Sequence, residues 1–219
     1  DVYKRQVFNI VTGFGETVGQ ALGRHPDVDC LSFTGSTEVG RYFLKYAAES
    51  NLKKVILELG GKSPAIVMDD VDDLQPIVEQ LAIGILFSQG ENCSAGSRLL
   101  VHEKVKGRLL EALVEHFKTW TVGDPLVEGT RIGALIDEKH MNNILGYIKA
   151  GVEEGGRIIL GGQRIRQETG GYYIEPTIFD DVSNQMTIAR EEIFGPVLSV
   201  ITFSSVEEAI AIANDTPYG

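Results

Sequence analysis

The stretch Cys30-Leu31-Ser32-Phe33-Thr34-Gly35-Ser36-Thr37-Glu38-Val39-Gly40 decides the fold. Its first four residues read as a strand. The chain then passes through Gly35 into helical spacing at Phe43, Leu44 and Ala47. A second apolar strand, Lys54-Val55-Ile56-Leu57-Glu58-Leu59, stops at Gly60-Gly61. Strand, turn, helix and strand in that order predict a parallel βαβ unit. Upstream, Val7-Phe8-Asn9-Ile10-Val11 is a short apolar run halted by Gly13-Phe14-Gly15, which predicts a buried strand and then a short helix over residues 16–22.

The alternation continues downstream. Residues 65–68, 99–101, 157–160 and 197–203 have strand character, and 172–178 reads as extended. Leu74, Ile77, Val78, Leu81, Ala82, Ile85 and Leu86 hold one helical face, with Pro76 in the first turn, where its missing N–H does no harm. Val105 to Trp120 and Met141 to Ile148 mark two further helices, the latter begun near Asp137. Residues 167–171 read as a surface hairpin, and Ser205-x-x-Glu208 is a capping box for a last helix. The expected class is α/β.

Composition narrows the function. The chain has 219 residues, is 43% hydrophobic and carries a net charge of −11. It has no cationic excess to neutralise phosphates, so nucleic acid is not expected as a partner. Nor is a membrane, because no apolar run is long enough to span one and no signal-peptide pattern opens the chain. Two cysteines make no disulfide framework, so a reducing, cytoplasmic setting is expected, and Cys30 reads as a core residue. Residues 1–6 do not lead naturally into the strand expected from Val7, and one back-translation of them resembles a transposon end used in library construction. A non-native leader is therefore expected there. The abrupt turn at residues 214–219 predicts an internal fragment.

Four places can carry chemistry. Cys93 lies in Phe87-Ser88-Gln89-Gly90-Glu91-Asn92-Cys93-Ser94-Ala95-Gly96-Ser97-Arg98, among small and polar residues after an apolar run, with Gly90 and Gly96 free to turn the backbone sharply. Alone it is a nucleophile or an ordinary loop cysteine. Gly35 and Ser36 sit where a strand meets a helix start, a physical anion site, although Ser36 as a plain cap explains the residue as well. Glu58 ends an apolar strand, where a carboxylate partly withdrawn from water suits a general base; pairing with Lys62 is the alternative. In Arg190-Glu191-Glu192-Ile193-Phe194-Gly195-Pro196, a carboxylate can take both hydroxyls of a ribose and a ring can cover a flat heterocycle. On local grounds a solvated acidic turn with Phe194 in the core fits that segment better.

Taken together, residues 33–40, Glu58-Leu59-Gly60-Gly61-Lys62-Ser63-Pro64, Gly90-x-x-Cys93-x-Ala95-Gly96-Ser97-Arg98 and Glu191-Glu192-Ile193-Phe194-Gly195-Pro196 resemble the motifs of the NAD(P)-dependent aldehyde dehydrogenase superfamily, in the family's order. The resemblance implies the second half of a Rossmann-like parallel cofactor sheet over residues 7–60 and a C-terminally truncated α/β catalytic domain over 61–219. It implies oxidation of an aldehyde to a carboxylic acid with hydride transfer to NAD or NADP. Cys93 matches the nucleophile and Glu58 the base that hydrolyses the thioester. Gly35 and Ser36 match the pyrophosphate turn, Leu59 and Gly60 the lining of the nicotinamide site, Glu192 the ribose carboxylate, and Phe194 the ring beside the nicotinamide. No metal is expected. A small-molecule aldehyde is the implied partner, and a homo-oligomer the implied assembly of the full-length parent.

The same resemblance places the oxyanion-hole asparagine and the adenosine site outside these residues, so the chain by itself is expected to be inactive. The spacing from Glu58 to Cys93 is reminiscent of dehydrogenases acting on amino-aldehydes such as γ-glutamylaminobutyraldehyde. Two other classes fit some of the residues. A cofactor-free cysteine hydrolase would need a histidine beside Cys93, and His25, His102, His116 and His140 lie in no such motif. A non-catalytic relative would keep the fold without turnover.

Overall fold

A computed structural model describes residues 7–218. The proposed leader, residues 1–6, lies outside the described residues. The chain divides into two compact units, the first ending at Gly60 and the second beginning at Gly61.

In the first unit, strand β1 (Cys30–Thr34) pairs in parallel with β2 (Lys54–Glu58), Thr34 opposite Glu58. A wide helical turn at Gly15–Gly19 runs into α1 (Gln20–Arg24), and α2 (Thr37–Ala48) crosses between the strands. The Ser36 hydroxyl accepts from the Val39 N–H at 3.3 Å and so caps α2. Phe43 and Ala47 on α2 are buried, and the Phe43 ring meets Phe33 of β1 at 4.7 Å between centroids. A Cβ on Gly40 would approach Leu59 to 2.7 Å, so this glycine lets α2 lie close on the strand end.

Two sequence expectations fail in this unit. Residues 8–14 form no strand, and Val7, Phe8, Ile10 and Val11 are exposed. An apolar run becomes a strand only beside another strand, and among the described residues β1 pairs with β2 alone. Cys30 is exposed as well, not in the core. Side chains alternate along β1, so Leu31 and Phe33 are half-buried while Cys30, Ser32 and Thr34 stand on the open face.

The second unit is built on a five-stranded sheet in the order β3-β4-β9-β8-β5: Pro64–Val67, Arg98–His102, Val197–Phe203, Thr177–Asp180 and Arg157–Leu160. Pairing is parallel except for the edge pair β5 and β8. Strand β4 is buried throughout, which is why its middle, Leu99-Leu100-Val101, reads as an unbroken apolar run. Its Leu99 and Val101 join a core with α3 (Gln75–Leu86) and α4 (Glu103–Lys118). Leu100 faces the other way into a second core with α5 (Glu138–Glu153), α6 (Thr187–Arg190) and α7 (Val206–Asn214). Helices thus cover both faces of the sheet, and each buried Leu, Ile or Phe contributes roughly 1.5–3 kcal/mol. The polar hairpin consists of β6 (Arg164–Ile165) and β7 (Tyr173–Ile174) around a short 3-10 turn. The capping box forms at Ser205, whose hydroxyl accepts from Glu208 N–H at 3.2 Å, while the Glu208 carboxylate bonds Ser204.

Candidate active site

Cys93 lies just beyond the end of α3. The chain leaves that helix through three consecutive left-handed residues, Ser88, Gln89 and Gly90, at φ 52°, 59° and 76°. Only Gly90 adopts this without strain, and a side chain there would also collide with the Gly195 carbonyl at 2.2 Å. Gly96 keeps an ordinary φ, and its N–H returns to the Gly84 carbonyl at 3.0 Å.

Around the thiol the loop is clasped. Asn92 Oδ1 accepts from the Ser94 N–H at 3.1 Å and the Ser94 hydroxyl at 3.0 Å, and the Ala95 N–H donates to the Asn92 carbonyl. Gly61 packs so tightly behind the loop that a Cβ on it would lie 2.2 Å from the Cys93 carbonyl oxygen. The Cys93 side chain is exposed and its thiol is free. The Cys93 N–H meets no acceptor among the described residues, so it can serve an oxyanion.

Glu192 comes to the same place from the other end of the chain. Its Oε1 accepts from the Gly61 N–H at 3.0 Å, and its own N–H donates to the Tyr218 hydroxyl at 3.3 Å. It is half-buried, not a freely solvated acid. Phe194 is 38% exposed and has φ 57°, so its ring stands at the surface and not in the core. Neighbouring Glu191 accepts from the Tyr147 hydroxyl at 2.8 Å; burial and that carboxylate push Tyr147 up to about 12.

Beneath these groups lie two buried cations that the sequence did not single out as buried. Lys62 is 2% exposed, and its Nζ has no hydrogen-bond partner among the described residues. Burial, with the Arg98 charge nearby, lowers it to about 7, partly offset by Glu192 and Glu191. Arg98 is wholly buried; its guanidinium donates to the carbonyls of Lys62, Ile212 and Ala213 and to Asn184 Oδ1, all within 2.8–3.0 Å. Four well-placed acceptors satisfy the charge.

In the first unit the predicted residues also gather at one end. Gly35 N–H donates to the Glu58 carbonyl at 3.0 Å, tying the two strand ends together. Gly35 is required by Phe33, whose ring a Cβ would meet at 2.6 Å. The N–H groups of Thr37 and Glu38, in the first turn of α2, have no intrahelical acceptor. The Glu58 side chain is exposed, not enclosed. Leu59 and Gly60 are half-buried. A cavity of about 730 Å³, lined by residues of the 13–22 segment and by Phe33, Val39, Tyr42, Phe43 and Tyr46, opens beside α2. No motif marks it, because it is shaped by the spacing of two helices. Among the described residues no acidic, histidine or cysteine cluster could hold a metal, and no helix is long and apolar enough to cross a membrane.

The profile of the aldehyde dehydrogenase family matches residues 3–219. An aminoacetaldehyde dehydrogenase of Pseudomonas aeruginosa is 49% identical over 213 residues, which make up 97% of this chain and 42% of that protein. Among solved structures, a mutant of the P. syringae indole-3-acetaldehyde dehydrogenase AldA in complex with NAD+ and IAA has a TM-score of 0.95 at 55% identity, covering 96% of this chain and 43% of that one. A γ-glutamyl-γ-aminobutyraldehyde dehydrogenase from Burkholderia cenocepacia has a TM-score of 0.93 at 52% identity, covering 97% and 43%. The chain spans less than half the length of each.

Proposed function

Because this chain belongs to the aldehyde dehydrogenase family, we propose that the protein carrying it oxidises an aldehyde to a carboxylic acid with NAD+ or NADP+ as hydride acceptor. The observation that carries the proposal is the Cys93 loop: an exposed thiol, a backbone clasped on both sides, and an unspent N–H at the same residue.

Cys93 Sγ, as the thiolate, attacks the aldehyde carbonyl carbon. The Cys93 N–H donates to the oxygen that becomes negative. Collapse of this thiohemiacetal to a thioester on Cys93 releases a hydride, for which a bound NAD(P)+ would supply the acceptor. Glu58 takes a proton from water, the water oxygen attacks the thioester carbonyl, and the acid departs with the thiolate restored. Exposure of the Glu58 carboxyl leaves it open to water.

The unit ending at Gly60 acts as the C-terminal half of the cofactor domain and the unit from Gly61 as the thiol domain. Gly35 and Ser36 would hold the pyrophosphate, with the unpaired N–H groups of the α2 start as donors. Leu59 and Gly60 would line the nicotinamide site, Glu192 would accept from its ribose hydroxyls, and Phe194 would cover the ring. The cavity beside α2 has apolar and aromatic walls that would suit a flat heterocycle such as the cofactor's adenine.

The test is made on the intact gene product, with an aldehyde panel that begins with amino-aldehydes. Cys93→Ala abolishes cofactor reduction and leaves cofactor binding in place. Glu58→Gln accumulates the thioester and releases it slowly. Normal steady-state turnover by either variant, or turnover without NAD(P)+, defeats the proposal.

A further inference from the structure

Asp137 caps α5 by accepting the His140 N–H at 2.7 Å, which fixes His140 in the first turn of the helix. From there the imidazole reaches two segments at once. Its Nε2 lies 2.7 Å from the Phe194 carbonyl oxygen and 3.5 Å from Glu91 Oε1. Its ring meets the Phe194 ring edge-on, 6.0 Å between centroids. Both neighbours of Nε2 are acceptors, so that nitrogen carries the hydrogen. Glu91 is in turn fixed by the Ile136 N–H, which donates to the same carboxylate oxygen at 3.2 Å.

The two segments that meet here are the ones that carry the chemistry. Glu91 is two residues from Cys93, and Phe194 is two residues from Glu192. Their backbones already touch, because a Cβ on Gly90 would run into the Gly195 carbonyl. Phe194 also holds a left-handed φ of 57°, which a side chain disfavours and which needs outside support to persist. A hydrogen bond to its own carbonyl is such a support. Histidine is suited to the place because one ring nitrogen can serve the carbonyl and face the carboxylate while the ring packs on phenylalanine.

We propose that His140 is a positioning residue that locks the Cys93 loop to the Phe194 turn and so fixes the nucleophile relative to the ring that covers the cofactor. The part of this that concerns the cofactor rests on the family reading of Glu192 and Phe194; the lock itself does not.

The test compares His140→Gln, which keeps a donor, with His140→Met, which has similar bulk and cannot donate. Both are made in the intact gene product on a Cys30→Ser background, since Cys30 is exposed and would also react. The first readout is the rate of Cys93 alkylation by iodoacetamide without cofactor. The second is KM for the cofactor against kcat. Losing one hydrogen bond of ordinary strength predicts that His140→Met shifts the alkylation rate about threefold or more and raises cofactor KM about fivefold, with kcat within about twofold. His140→Gln returns both to within about twofold of the parent. If Met and Gln behave alike, or Met matches the parent in both readouts, His140 only fills space and the proposal is wrong. Glu192→Gln is the control: if it leaves cofactor KM unchanged, the ribose reading has failed, and the alkylation comparison alone then decides the lock.

Discussion

Replacing Gly61 by alanine tests the packing behind the thiol. The added Cβ would lie 2.2 Å from the Cys93 carbonyl oxygen, whereas ordinary contacts begin at 3.4 Å. The Cys93 backbone or the start of β3 therefore has to move by 3.4 − 2.2 = 1.2 Å. Overpacking of this kind costs about 1–3 kcal/mol of stability, which in a chain of this size lowers Tm by roughly 3–10 °C. The same movement displaces the nucleophile, and a misplacement of about 1 Å can cost about a hundredfold in rate. Alanine keeps the backbone N–H that Glu192 accepts, so cofactor KM changes by less than about threefold while kcat falls by about a hundredfold. Steady-state kinetics of the intact gene product, with a thermal melt beside them, read both effects. A variant with parental kcat and Tm would show that the loop yields freely and that the close approach of Gly61 does not set the position of Cys93.

Particular contacts predict other outcomes. Lys62 is held at about 7 in the folded protein against an ordinary 10.5. The unfolded chain therefore binds more protons at this residue between those values, and stability rises with pH across that window; Lys62→Met should flatten the rise and lift Tm at pH 6 by about 5 °C, an outcome to be read from melts at pH 6 to 10. Asp180, 4% exposed, pairs with Lys106 and Arg157, each at 2.7 Å. Asp180→Asn leaves both cations with the exposed Asp181 alone and costs roughly 1–2 kcal/mol in a urea titration, less than a fully buried pair because Arg157 is largely exposed and Asp181 still pairs with each. Ser36→Ala removes the α2 cap at a cost of about 1 kcal/mol and raises cofactor KM; an unchanged KM would leave Ser36 a cap and nothing more.

Most of the second unit was legible because its elements have a local period. Strands β4 and β9 are apolar on both faces, and the faces of α3, α4 and α5 repeat at helical spacing. The failures came where the outcome depends on something distant. Residues 7–11 have the composition of a strand but no pairing neighbour among the described residues, and Cys30 sits on the exposed face of β1. The left-handed Ser88 and Gln89 carry no glycine to announce them. Motif residues stood out singly in the same way, while their contacts did not. Gly61 and Glu192 lie 131 residues apart, and no local spacing relates the two. Lys62 was visible as a neighbour of Glu58, yet its burial comes from the packing of strands and helices far along the chain.

Arg98 gives the last helix a duty out of proportion to its size. Two of the four groups that satisfy this buried guanidinium are the carbonyls of Ile212 and Ala213, at the end of α7. The other side of Arg98 grips the Lys62 carbonyl, next to the glycine that backs the thiol loop. Damage to α7 is therefore felt at Cys93 through a single side chain. Stepwise trimming or limited proteolysis from the C-terminal side should first take the Tyr218 hydroxyl from Glu192 and Asp215 from Asn184, with graded effects, and then reach Ala213. Past that point it strands a charge in the interior, and solubility and thiol reactivity should change together in one abrupt step.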